Sequence, residues 1–250
     1  MDLASENLLI IAIFLAAGVV KGVVGMGLPA LSLALLTLIT DLPSAMTLML
    51  VPALVTNVYQ SLSGGRAIET FRKCLLFFVM AGLAICLGAQ ALVRVHLPLL
   101  SGLLGGCLIG YSVVSVVGMR LTGLWLKYWW TGPLFGVTNG VLTGLTGSFV
   151  FPGLMYLQSI GLSRNELIQA MGILFTISTI FLALSLSQLS LLSPHLSIQS
   201  GLAVFPAIAG MMIGSSIRNR ISEILFRRLF FTALTLIGAV LVFNSVANLS

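Results

Sequence analysis

Long apolar runs separated by short polar stretches cover almost the whole chain. They fall near residues 8–38, 45–62, 72–92, 97–119, 129–161, 165–187, 198–216 and 226–247. Six of them are close to the ~20 residues that one membrane-spanning helix needs. The runs at 8–38 and 129–161 are too long for one span, and each holds a cluster of helix breakers. The first cluster reads GVVKGVVGMGLP over residues 18–29, the second GVLTGLTGSFVFP over residues 140–152. Glycines at 18, 22 and 25 recur at 140, 144 and 147, and each copy closes on a proline. In a helix interior glycine costs about 1 kcal/mol and proline about 3. In lipid, broken backbone is tolerated only where protein or a water-filled cavity covers it. Matched breaks in two halves of a membrane chain therefore point to a transporter-type binding site.

Composition agrees with a membrane-embedded chain: of 250 residues, 58% are hydrophobic and only 7% charged. The net charge of +6 does not indicate nucleic acid, because the basic residues stand singly or in pairs between apolar runs. Such residues set topology. If all eight runs crossed once, Arg66, Arg72, Lys73, Arg120 and Lys127 would face one side. Arg94, Arg164, Arg218, Arg220, Arg227 and Arg228 would face the other, a split without sense under the positive-inside rule. If the two long runs are hairpins, only Arg94 is separated from the other ten. This predicts an all-α polytopic membrane protein of two inverted repeats, residues 1–125 and 126–250. Each repeat is a Gly/Pro-broken re-entrant hairpin plus three transmembrane helices, and the hairpin tips can meet near the midplane. Gly88 and Arg94 are six apart, as are Gly214 and Arg220, and inversion places Arg94 outside and Arg220 inside. Both termini are then expected on the non-cytoplasmic side of the membrane. The opening MDLASEN lacks the basic region of a cleavable signal, so the first apolar run is expected to be retained.

Of the twelve Lys and Arg residues, Lys21 alone lies inside an apolar run, too far from its end to snorkel easily. A charge at the bilayer centre costs from about 2.5 to over 10 kcal/mol unless solvated or paired. No acid is nearby in sequence, so an anion is one candidate partner; backbone carbonyls or a distant acid are the others. The first break offers backbone N–H groups at Gly22, Gly25, Met26 and Gly27. The second offers Thr138, Asn139, Thr143, Gly144, Thr146, Gly147 and Ser148. Lysine, hydroxyls and N–H donors, with a half-helix starting after each break, describe a small oxyanion site. Gly18/Gly22 and Gly140/Gly144 are also GxxxG pairs, so helix packing competes with or accompanies that role. Gly102, Gly106 and Gly110, and Gly210 with Gly214, read as close helix contacts. Thr56, Asn57 and Gln60 form a polar stripe, and Asn57 needs either an interhelical partner or substrate. Pro52 is expected to kink that segment. The acids Asp2, Glu6, Asp41, Glu69, Glu166 and Glu223 fall at segment ends or loops. Proton coupling would have to use Lys21, an acidic substrate, or Asp41 or Glu166 drawn inward. Cys74, Cys86 and Cys107 read as small buried hydrophobes, and His96 and His195 form no metal set, so no cofactor or metal is expected.

The stretches GVVKGVVGMGLPALSLALL and GVLTGLTGSFVFPGLMYL resemble the sulfite exporter TauE/SafE family, with the best match at residues 16–60 and 136–186. The resemblance implies two homologous halves, each opening on a glycine-rich segment followed by proline. It also implies a role in moving sulfite, sulfonates or related sulfur anions. It supports Gly22, Gly25, Gly27, Gly144 and Gly147 as site-forming; Lys21 rests on charge alone. The expected function is a secondary transporter exporting a small sulfur-containing anion by alternating access between the hairpin tips. An anion channel of the same fold is the alternative. A membrane-embedded enzyme lacks a metal cluster, a Ser/His/Asp set or paired buried acids. A scaffold lacks soluble loop surface. The expected partners are the sulfur anion and the lipid bilayer, with a coupling proton or ion and a homo-oligomer left open.

Overall fold

The computed structural model describes residues 3–63, 65–118, 128–218, 220 and 222–248, without the side chains of residues 3, 4 and 223. The described residues form twelve helices: α1 (Leu3–Val24), α2 (Leu28–Leu36), α3 (Leu42–Leu62), α4 (Ala67–Lys73), α5 (Leu75–Leu92), α6 (Leu97–Val117), α7 (Thr131–Thr146), α8 (Gly153–Ser159), α9 (Arg164–Gln188), α10 (Pro194–Leu202), α11 (Val204–Ile217) and α12 (Glu223–Ala247). Seven stretches among them are long and apolar enough to cross a membrane: α1, α3, α5, α6, α9, α10 with α11, and α12. Arg120, Lys127 and the boundary at 125/126 lie outside the described residues.

Both long runs break, but unevenly. α1 keeps 22 residues and α2 has nine. At 1.5 Å per residue, α1 alone is long enough to cross a bilayer. Gly18 and Gly22 remain inside it, and the break falls at Gly25 to Gly27. Gly27 precedes α2 with φ 109°, and Gly147 ends α7 with φ 71°, a left-handed backbone that L side chains resist. α8 then folds back along α7. Tyr156 stacks on Phe135 at 5.4 Å and meets Phe77 at 5.0 Å, close to where α5 and α7 begin.

One run expected to be continuous, 198–216, is divided at Ala203 into α10 and α11. Pro206 explains this, because it cannot donate to the carbonyl of Leu202 and its ring crowds that carbonyl. The run at 72–92 is also interrupted, at Cys74.

Small residues set the helix pairs. α1 lies against α11, α7 against α5, α6 against α12 and α3 against α9. A Cβ on Gly18 would strike the Ala207 carbonyl, and one on Gly22 the Met211 carbonyl. Gly140 and Gly144 stand in the same way against the carbonyls of Ala81 and Ile85. Gly210 and Gly214 return the contact to α1 at Leu15 and Val19. Without a hydrophobic drive between helices in lipid, such close approach supplies the attraction. On α6 the expected row of Gly102, Gly106 and Gly110 is corrected. Gly102 meets Ser245 and Gly105 meets the Gly238 carbonyl, while Gly106 faces open space. The α6–α12 seam follows a three-residue step, so Gly106 rotates off it.

Among the described residues, most of the basic ones gather at one end. There α3 ends and α9 begins, joined where Gln169 donates to the carbonyls of Ser61 (3.0 Å) and Ser63 (3.3 Å). Lys73 approaches Glu166 at 3.8 Å at the same end. Arg94 follows α5 at the opposite end.

Candidate functional site

Lys21 sits in the last turn of α1, where the helix dipole favours a cation. Only 4% of it is exposed. Its ammonium donates to Thr56 Oγ1 at 3.1 Å and to Asn57 Oδ1, both on α3. Thr56 passes its own proton to the Pro52 carbonyl at 2.8 Å, so its oxygen is free to accept from lysine. Both acceptors are neutral, and among the described residues no carboxylate pairs with Lys21. An ammonium has three N–H donors. Two are used by protein, and the third has no acceptor among the described residues. Asn57 turns its oxygen to the lysine, which leaves its Nδ2 buried with no partner among the described residues.

Pro52 prepares this face of α3. It has no N–H to give the Leu48 carbonyl. Ser200 of α10 fills the gap: its hydroxyl donates to Leu48 O at 2.8 Å and accepts from Val51 N–H at 3.1 Å. Gln60, two turns after Pro52, donates to the Ile168 carbonyl at 2.9 Å and leaves its Oε1 with no partner among the described residues. Together with Gln169 it clasps α3 to α9.

A cavity of about 310 Å³ borders the lysine. Lys21, Gly22, Gly25, Thr56 and Gln60 form its polar wall; Ile168, Met211 and Met212 form its apolar wall. Tyr59, Ser63 and Ser215 line it toward the ends of α3 and α11, and Tyr59 is 66% exposed. A Cβ on Gly25 would meet nothing within 4 Å, so this glycine leaves the space clear. At roughly 30 Å³ per water, the cavity has room for a small oxyanion with several waters.

The structure thus brings together Lys21, Gly22, Gly25 and, behind the wall, Asn57. The N–H of Gly22 belongs to the helix and that of Gly25 donates to Lys21 O at 2.8 Å, so neither is presented to a ligand. Gly27 instead packs beneath Phe230. The second break uses most of its polar groups internally, although Asn139 Nδ2 is buried with no partner among the described residues. Asn139 Oδ1 accepts from Gly153 N–H at 2.9 Å and ties α8 to α7. Thr143 donates to Ser148 O at 3.0 Å. Thr146 donates to Leu142 O at 2.7 Å and accepts from Ser148 N–H at 3.2 Å. Gly144 packs on α5, and Gly147 rests against Met46 and Leu33, so the second loop touches α2 and α3. None of these six lines the Lys21 cavity. Asp41 and Glu166 serve as caps: Asp41 accepts from Ser44 N–H at 2.9 Å, and Glu166 accepts from Ser163 N–H at 2.8 Å. Met211, Ser215 and Ile168 were not legible as wall residues, because nothing in their local sequence marks them.

A family model matches residues 10–241, described as Sulfite exporter TauE/SafE. The chain belongs to the sulfite exporter TauE/SafE family. No curated protein and no solved structure matches it. Membership in this transporter family and the seven apolar helices make the chain an integral membrane protein of a transport family. The two glycine-rich stretches of the sequence fall at the α1–α2 and α7–α8 turns.

Proposed function

We propose that the protein is a secondary transporter that exports a small sulfur-containing anion, of the sulfite or organosulfonate class, with Lys21 as the charge that holds it. The observation that carries this is a buried ammonium with only neutral acceptors, on the wall of a cavity. A buried cation of this kind is strongly unfavourable until a counter-charge arrives. An anion that reaches Lys21 takes the remaining N–H and is held against Thr56.

The same reading takes the two halves as inverted repeats that rock about this site. Several paired observations support it. Gly18 and Gly22 close on α11 as Gly140 and Gly144 close on α5. Asp41 caps α3 and Ser163 caps α9, at positions 122 residues apart, the same interval as between the glycine triplets. α2 and α8 each turn back after a left-handed glycine. With the basic end cytoplasmic, in a bacterial inner membrane, the cavity faces the cytoplasm and the termini lie outside.

The test is flux in proteoliposomes with sulfite, other sulfur oxyanions, organosulfonates, chloride and amino acids. Saturable flux of one sulfur anion is expected. Non-saturating flux with no selectivity among anions would overturn the transporter reading in favour of a channel.

A further inference from the structure

A second basic site lies apart from Lys21, in a groove of about 330 Å³ where α6 ends and α12 begins. Its walls are Ser115, Val116, Ile224, Arg227, Arg228 and Phe231. The last carbonyls of a helix lack helical partners. Arg227 supplies one, donating from Nη2 to Ser115 O at 3.4 Å, while its guanidinium lies 5.9 Å from the centre of the Phe231 ring. The ring and the carbonyl fix the arginine in place and leave most of its five donors unused. Arg228 has no ion-pair or hydrogen-bond partner among the described residues. The Ser115 hydroxyl is buried in the same groove with no partner among them either.

The surroundings say what such a site would meet. Ile224, Leu225 and Leu229 are 67%, 58% and 62% exposed on the flank of α12, a surface suited to acyl chains. The arginines stand one to two turns from the start of the helix, about 6–8 Å along it at 1.5 Å per residue. For a helix that starts at the water side of the headgroup layer, that distance reaches the boundary between headgroups and hydrocarbon. Two guanidiniums, a hydroxyl and an adjoining apolar flank match a phosphoryl group that carries hydrocarbon. Arginine binds phosphate through paired N–H donors, and basic pockets between transmembrane helices take anionic headgroups. We propose that this groove holds the phosphoryl headgroup of an anionic membrane lipid and ties α6 to α12 through it.

The full-length protein is placed in nanodiscs of phosphatidylcholine with or without phosphatidylglycerol, and bound lipid is read by native mass spectrometry and thermal midpoint. Retained phosphatidylglycerol and a raised midpoint are expected. Arg227→Gln with Arg228→Gln should weaken retention about tenfold, or ~1.4 kcal/mol. Arg94→Gln, at the other end of the molecule, should leave it unchanged. If the double variant does not fold, Arg228→Gln and Ser115→Ala singly should each weaken retention. Equal retention by wild type and variants, or no preference over phosphatidylcholine, would overturn the proposal. Inorganic phosphate raising the midpoint as far as phosphatidylglycerol does would overturn the lipid source and assign the groove to free phosphate.

Discussion

Asn57 separates an anion-binding role for Lys21 from a purely architectural one. As asparagine it gives the ammonium an acceptor without a charge. Asn57→Asp would give the same acceptor with a charge, and the cation would then be neutralised from within. The expected result is a folded protein, as stable as wild type or more so, whose affinity for the transported anion falls about tenfold or more. Isothermal titration checks the affinity and a thermal scan the fold. Unchanged affinity would show that Lys21 does not contact the substrate. Lys21 and Asn57 were legible in the sequence because each is a polar group that lipid does not tolerate alone. Asn139, Thr143 and Thr146 looked equally suited, but the fold uses their side-chain oxygens within α7 and the α7–α8 turn, where Ser148 contributes its backbone N–H and carbonyl. Sequence shows a hydroxyl's presence, whereas only the turn geometry shows which carbonyl it reaches.

The elements owe their arrangement to positions where a side chain is missing or a donor is. Ser200→Ala removes the donor for Leu48 O and the acceptor for Val51 N–H. A buried group left unsatisfied costs about 1–3 kcal/mol. A lowered thermal midpoint is therefore expected. Pro52→Ala in that background should recover part of it, because the restored N–H can reach Leu48 O. Additive losses in the double variant would contradict this pairing. Gly144→Leu should be severe, since its Cβ alone would strike the Ile85 carbonyl, and about 1–3 kcal/mol is typical of overpacking. Gly106→Leu should change little, since nothing lies within 4 Å of its Cβ position. Comparable losses at both would show that glycine spacing does not set these seams. The apolar runs made the spans legible to within a few residues. The division at Ala203 was missed because Pro206 lies in a run whose hydropathy never falls.

At the scale of the molecule, charge and glycine spacing carried most of what could be read, since both follow the period of whole helices. The two halves of the proposed repeat are not chemically equal. Lys21, Thr56 and Asn57 have Thr143, Ser178 and Thr179 as counterparts 122 residues on, so the charge stands in one half only. The cavity takes its polar wall from α1 and α3 and its apolar wall from α9 and α11. In a background without native cysteines, Ser63→Cys and Ser215→Cys should react with a membrane-impermeant maleimide from the cytoplasmic side. Arg94→Cys should react only from the opposite side. Reaction of all three from one side would contradict the orientation. The site's identity as a shared surface of α1, α3, α9 and α11 was not legible, because it depends on how distant helices cross. The measurement that bears most directly on the whole scheme is sulfite flux into proteoliposomes containing wild-type or Lys21→Ala protein at matched, folded levels. Loss of a buried charge contact is worth about 2–5 kcal/mol. Saturable flux in the wild type that falls by about 100-fold or more in Lys21→Ala is expected; equal flux from the two proteins would contradict the assignment of this lysine as the anion's partner.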